Sequence, residues 1–313
     1  MRRLATVTYN YHCNYTNYGS ALQTWALLRV LNSLAPGEVE AINLDYCPAS
    51  HLDKDPLDPM RNTWDTDPES LRMLELSMPA IRENFVKFDR FYRNECRLSK
   101  GSYTSANFDD SLVAEGLDGY VCGSDTIFCI REFDGFDDGY FANYPAMRGR
   151  SISYAASFGD VDWTDAERET LKARLSNFRA LGIREGGVDL DWVKANVAVP
   201  ATRVLDPTLL LTGADYDPIV GEAQMDEPYV LLYSRRRNPA MEAYADHVAE
   251  RLGCRVVDIS LRATNAERGH VMRYDAGVEE FLALVKGARY VVTNSFHGLI
   301  FAAQMHTPFS VFS

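Results

Sequence analysis

The sequence predicts an α/β protein of two Rossmann-like domains, each built on a parallel sheet. Apolar runs of strand length alternate with segments of helical periodicity along almost the whole chain. The chain opens on a strand–helix–strand pattern, the unit from which parallel sheets are built. Finally, an acidic stretch carrying Gly213, Pro218, Gly221 and Pro228 interrupts the alternation around Leu211–Glu227, and a length of 313 residues suffices for a domain on either side.

Taken in order, Leu4–Tyr9 reads as a strand and Ser20–Leu34 as a helix with Leu22, Trp25, Ala26, Leu28 and Leu31 on one face. Val39–Leu44 is a second strand, and the Pro- and Asp-rich stretch Cys47–Thr66 a loop. Asp67 caps a helix with Pro68 at its first position, and Pro79 starts another, carrying Ile81, Phe85 and Phe88 at helical spacing. Strands follow at Gly119–Cys122 and Ser151–Ala156, separated by an irregular loop over Arg131–Tyr144. Thr164 and Glu167 form a capping box that opens a helix running to about Ala180, ahead of a strand at Leu181–Ile183.

Beyond the interruption the rhythm is cleaner. Strands are expected at Tyr229–Tyr233, Arg255–Ile259, Tyr290–Thr293 and Phe309–Phe312. The helices expected between them are one capped by Asn238-Pro239 and ending near Gly253, one at Val278–Lys286 and one at Phe296–Met305. The expected domains are therefore 1–215 and 225–313. A doubly wound domain usually continues past such a last strand with another helix, so the C-terminal part is expected to be truncated.

Composition narrows the function. The chain is 46% hydrophobic and 24% charged, as in ordinary globular proteins. A net charge of -12 repels phosphate backbones, so no nucleic-acid partner is expected, and an anionic substrate needs a local basic pocket. Six cysteines lie singly, with no CxxC pair and no Cys/His metal spacing, so no metal site is predicted and a reducing cytosol is expected. The apolar stretch at the start is too short for a signal peptide, and no window is long and apolar enough to span a bilayer. The expectation is a cytoplasmic protein with at most peripheral association at the inner membrane face.

The segment with most chemistry is Thr293-Asn-Ser-Phe-His-Gly298, where a buried strand ends and a helix begins. Ligands of open parallel sheets sit beyond the carboxyl ends of strands, and a helix N-terminus there suits phosphate or carboxylate. Ser295 can cap the helix, Gly298 can admit a ligand close to the backbone, and His297 stands in the first turn as a proton donor; equally, the polar residues can simply close the helix.

This segment resembles the hallmark of the polysaccharide pyruvyl transferase family, and further segments agree in the expected order. These are Asn17-Tyr-Gly-Ser-Ala-Leu-Gln23, Phe88-Asp-Arg-Phe91 with Arg97-Leu-Ser99, Gly123-Ser-Asp125, Ser153-Tyr-Ala-Ala-Ser-Phe-Gly159, Ile183-Arg-Glu185 and Leu205-Asp-Pro-Thr-Leu-Leu210. The resemblance covers roughly residues 5–313. It implies a two-domain fold similar to GT-B glycosyltransferases and an enzyme using phosphoenolpyruvate as donor, with no further cofactor. The acceptor it implies is a cell-surface glycan or its lipid-linked precursor, and the product a pyruvate ketal. Under it the N-terminal domain is the acceptor side and the C-terminal domain the donor side.

In such a reaction His297 is the acid that protonates the donor's methylene carbon, and Asp125 is either the base for the attacking hydroxyl or a helix cap. Arg184, with its planar fork, is the candidate clamp for the donor, or else the ion-pair partner of a neighbouring acid. Asn294, Ser295, Gly298 and Arg235 complete the expected donor site; the run Arg235–Arg237 reads equally as a solvated turn. Asn17, Gly19 and Gln23 are expected on the acceptor, or as turn and helix-surface residues. The family commonly follows GSD with Gln and a nearby Trp, whereas this chain has Thr126, Ile127 and Phe128. Phe128 offers a stacking face to a sugar, and the departure suggests an altered acceptor pocket. Tyr9, Tyr11, Tyr15 and Tyr18 can line a carbohydrate groove or pack normally. Competing readings are a GT-B nucleotide-sugar glycosyltransferase, for which Asp258 would hold a ribose, and a non-catalytic glycan-binding relative.

Overall fold

The computed structural model describes residues 1–10, 16–58 and 68–312. Tyr11 and Tyr15, the cap expected at Asp67 and the part of the expected loop from residue 59 onward lie outside the described residues. Two compact units result: Met1–Cys13, Ser20–Lys54 and Tyr92–Leu210 form the first; Asn14–Gly19, Asp55–Phe91 and Leu211–Ser313 form the second. The second unit thus draws residues 14–19 and 55–91 from within the stretch 1–215.

The first unit holds a seven-stranded parallel sheet: β1 (Arg2–Val7), β2 (Val39–Tyr46), β3 (Leu98–Tyr103), β4 (Gly119–Cys122), β5 (Ser151–Ala156), β6 (Leu181–Ile183) and β7 (Ala201–Arg203). Its order is β3-β2-β1-β4-β5-β6-β7, so direction of growth reverses between β1 and β4. Strands covered on both faces read as unbroken apolar runs, which is why Gly119–Cys122 is wholly buried. β3 and β7, at the two edges, are polar (LSKGSY and ATR) and escape a hydrophobic pattern.

The second unit holds a five-stranded parallel sheet, ordered β10-β9-β8-β11-β12: β8 (Tyr229–Tyr233), β9 (Arg255–Ile259), β10 (Val271–Met272), β11 (Tyr290–Thr293) and β12 (Phe309–Val311). Here the reversal lies between β8 and β11. Helix Pro239–Leu252 is bounded as its sequence dictates: Asn238 Oδ1 accepts the Met241 amide, Pro239 opens the first turn, and Gly253 closes the helix at φ 62.

Three local expectations are corrected. Pro68–Glu95 is one helix with Pro79 inside it, where two were expected. An internal proline costs about 3 kcal/mol, and burial of Met73, Ile81, Phe88 and Phe91 along the helix offsets it. The helix opened by the Thr164–Glu167 capping box stops at Leu175, because the chain turns at 176–178 to enter β6. The stretch 211–227 is more ordered than a linker: it contains a helix, Gly213–Tyr216, whose Tyr216 is fully buried against Phe301.

Candidate active site

In the first unit, motifs that are distant in sequence meet at the carboxyl ends of β1, β4, β5 and β6, around the strand-order reversal. Gln23 is fully buried; its Nε2 donates to Thr8 Oγ1 (2.9 Å) and the Ser20 carbonyl (2.9 Å), while its Oε1 accepts the Ser124 amide (3.0 Å). Thr8 Oγ1 in turn donates to the Ser124 carbonyl (2.9 Å). Gln23 therefore ties the end of β1 to the loop after β4, and the acceptor role expected of it is corrected: every polar atom is used inside the fold.

Asp125 follows at φ 75, its carboxylate accepting from Ser20 Oγ (2.6 Å) and from the Thr126 amide (2.9 Å). No α-helix starts there, so Asp125 is not a helix cap. Ser124 Oγ lies 3.1 Å from Asp206 Oδ2. Asp206, fully buried, also accepts from Thr208 N (3.0 Å) and Oγ1 (2.7 Å) and pairs with Arg184 Nη1 at 3.2 Å. Arg184 Nε lies 4.0 Å from Glu185, and Glu185 is bound by Ser157 Oγ and the Phe158 amide. The GSD, YAASFG, RE and DPT segments are thus one network, and Arg184 is engaged within it. Phe128 is corrected too: it is fully buried, stacked on Phe141 (4.7 Å between centroids, 19°) with Phe158 and Phe178 beside it, and has no face for a sugar.

In the second unit the polar residues gather where β8 and β11 end, again at a strand-order reversal. Ser295 caps helix Phe296–Gln304 by accepting the Gly298 amide (3.2 Å), as expected. Gly298 serves packing: a Cβ there would lie 2.5 Å from Thr293 Oγ1 and 2.9 Å from Tyr233 Cδ1, so the helix sits directly on the strand ends. The expected ligand-facing role of Gly298 is corrected accordingly. Asn294 grips the turn after β8, accepting from the Arg235 amide (2.9 Å) and donating to the Arg236 carbonyl (2.8 Å). It acts on the arginine run through the backbone.

His297 is buried in the first turn of that helix, its ring against Gly19 and 5.1 Å from the Phe296 ring. Asn17 caps the helix Tyr18–Leu34 by accepting the Gly19 amide (3.0 Å). Tyr18 stacks on Phe281 (4.5 Å, 16°) and donates to the Ala276 carbonyl (2.7 Å); burial holds its hydroxyl well above the ordinary tyrosine range. Tyr9 and Tyr18 are both buried, so of the two readings offered for them it is ordinary packing that the fold adopts.

Asp258 is fully buried, bound by Asn265 Nδ2 (2.8 Å) and His270 Nδ1 (3.0 Å), which removes it as a ribose ligand. His270, for which the sequence suggested no role, bridges Asp258 and Asp246 (2.7 Å). Among the described residues no group of three His, Cys, Asp or Glu is arranged to hold a metal, and no helix is long and apolar enough to cross a membrane.

Two parallel sheets, each with polar side chains massed at its strand-order reversal, define a GT-B-like α/β protein. A Listeria monocytogenes protein assigned as a UDP-N-acetylglucosamine 2-epimerase shares this fold at 13% identity and TM-score 0.52, over 99% of this chain and 78% of that one. The E. coli heptosyltransferase WaaC with ADP-2-deoxy-2-fluoro heptose aligns at 12% identity and TM-score 0.41, over 99% of this chain and 87% of that one. Comparison with proteins of curated function finds no match. The family is given by the sequence itself: residues 17–313 match the model for polysaccharide pyruvyl transferase, and the chain belongs to that family.

Proposed function

We propose that this transferase moves the enolpyruvyl group of phosphoenolpyruvate onto two hydroxyls of a sugar in a cell-surface polysaccharide or its precursor, closing a pyruvate ketal. The observation that carries the reading is the seat of His297, a titratable ring held in the first turn of a helix at the reversal point of the second sheet.

The chemistry balances with few groups. Imidazolium His297 gives its proton to the methylene carbon, making the methyl group, and the enol carbon becomes electrophilic. A sugar hydroxyl attacks that carbon, losing its proton to a base. The bond to the phosphate oxygen then breaks and its electron pair leaves with phosphate, which takes up the proton held by the base. A second hydroxyl closes the ring and returns its proton to His297. Arg235 and the helix N-terminus at Phe296 are the groups we assign to the donor's anions.

The test is acceptor-dependent phosphate release from phosphoenolpyruvate, with a glycan gaining the mass of one pyruvate less one water. His297→Ala should lose this activity while still binding the donor. Phosphate release unchanged in that variant would remove His297 from the mechanism.

A further inference from the structure

The first unit contains a cavity of about 460 Å³. Ile130, Arg131, Asp134, Gly135 and Phe136 line it from the long loop after β4, and Glu167 from the helix after β5. Both segments leave the carboxyl ends of their strands, the side on which parallel sheets hold ligands. The Gly135 amide donates to the Ile130 carbonyl (2.9 Å), which closes residues 130–135 into a rim, and the chain reverses through Asp134 at φ 55 and Gly135 at φ 128. Thr126 Oγ1 donates to Glu132 (2.9 Å) and ties this rim to the residue that follows Asp125. None of the lining residues belongs to a motif that carries the family resemblance, so family membership gives the cavity no role.

The walls suit a neutral ligand with many hydroxyls and one apolar face. Arg131 makes paired hydrogen bonds to Glu167, Nη1 to Oε1 at 2.6 Å and Nη2 to Oε2 at 3.2 Å, and its charge is cancelled there. The Arg131 side chain, with the Thr164 amide and hydroxyl, holds the Glu167 carboxyl down at about 2, so the pair stays ionised. Asp134 is exposed, and its carboxylate has no hydrogen-bond or ion-pair partner. One guanidinium against two carboxylates leaves the cavity negative, which turns phosphates and carboxylates away.

Phe136 supplies the apolar face. It is half-buried, and its ring is backed by Phe141 (5.1 Å between centroids) and Trp163 (6.3 Å). The C–H face of a pyranose can pack on such a ring while its hydroxyls donate to Asp134 and Glu167. The stacking face expected of Phe128, which is spent in the core, is offered by Phe136 instead. The volume lies in the range of about 300–1,000 Å³ typical of small-molecule sites.

We infer that this cavity is a glycan subsite, which holds a neutral pyranose of the acceptor chain by stacking on Phe136 and by hydroxyl contacts to Asp134 and Glu167. It binds and takes no part in proton transfer. The inference rests on the pyruvyl-transfer reading above for the acceptor being a glycan.

The experiment probes an array of neutral and acidic oligosaccharides with the labelled full chain, with Phe136→Leu and with Asp134→Gly. Calorimetric titrations of all three follow, with the best-retained oligosaccharide and with phosphoenolpyruvate. Phe136→Leu keeps apolar packing and removes the ring face, and Asp134→Gly keeps the backbone because glycine adopts φ 55 freely. Expected is retention of neutral glycans, bound about tenfold or more weakly by Asp134→Gly and about fivefold more weakly by Phe136→Leu. Affinity for phosphoenolpyruvate should not change. Retention of no glycan, a preference for acidic glycans, or wild-type affinity in either variant overturns the subsite; phosphoenolpyruvate binding in the same titrations then leaves pyruvyl transfer standing. Glycan binding that both variants weaken, without any binding of phosphoenolpyruvate, supports the subsite and overturns the donor assignment.

Discussion

Gly19 and His297 are packed so closely that a Cβ on Gly19 would lie 2.0 Å from His297 Nδ1. The glycine at this position is required by the imidazole, and its backbone is held in place by Asn17, which accepts the Gly19 amide. Gly19→Ala must therefore push the ring aside. Alanine is the better helix former by about 1 kcal/mol, so stability should change little. A displacement of about 1 Å at a reacting group costs on the order of a hundredfold in rate, and that loss in kcat, with donor affinity kept, is the expected result. A Gly19→Ala enzyme of normal kcat would mean that the position of the ring does not matter.

Arg184 separates two roles by stability. Its partner Asp206 is fully buried, so Arg184→Ala strands a carboxylate in the interior. The expected cost is about 3 kcal/mol, at the low end for such pairs because Ser124 and Thr208 still donate to Asp206. Adding Asp206→Asn to Arg184→Ala should restore much of it, as read by urea denaturation. If Arg184→Ala leaves the urea midpoint unchanged but abolishes donor binding, the side chain is a clamp and the ion pair is incidental.

Gln23 gives a parallel contrast on the acceptor side. Truncating it to alanine leaves the Ser124 amide without its acceptor inside the fold. Stability should fall by about 2 kcal/mol, with KM for the acceptor little changed in the fraction that is folded. A raised acceptor KM at full stability would restore Gln23 to the substrate.

These contrasts show what a linear sequence carries. The strands at 119–122, 181–183, 229–233 and 290–293 were legible to the residue because strands buried on both faces are continuously apolar. The edge strands β3 and β7 were not, because their polar residues carry no such signal. At the site, the motif residues were legible as a set, and they do gather at strand ends. Their individual duties were not. Phe128 is core, and Gln23 and Asn294 spend their polar atoms on other loops, because burial and hydrogen-bond partners are fixed by contacts far away in sequence. The duty of His270 is hidden in the sequence for the same reason: its partners Asp246 and Asp258 come from a helix and a strand that precede it, with no ligand-like spacing.

That histidine makes stability depend on pH, with a sign that follows from its surroundings. Burial alone would lower its pKa, but the hydrogen bonds and charges of Asp258 and Asp246 outweigh this and raise it above 6.5. Arg268 pairs with Asp246 and Glu242 on the same side, and Asn265 donates to Asp258, so both acids stay engaged. A basic group whose folded pKa is raised stabilises fully below its unfolded value, about 6.5, and loses that contribution as pH rises through the folded value. The wild-type chain should therefore exceed His270→Asn in unfolding free energy by more at pH 6 than at pH 9. Denaturant titrations at the two pH values measure the gap. A gap that stays constant would mean that His270 is neutral throughout and acts only as a hydrogen-bonding bridge between the two acids.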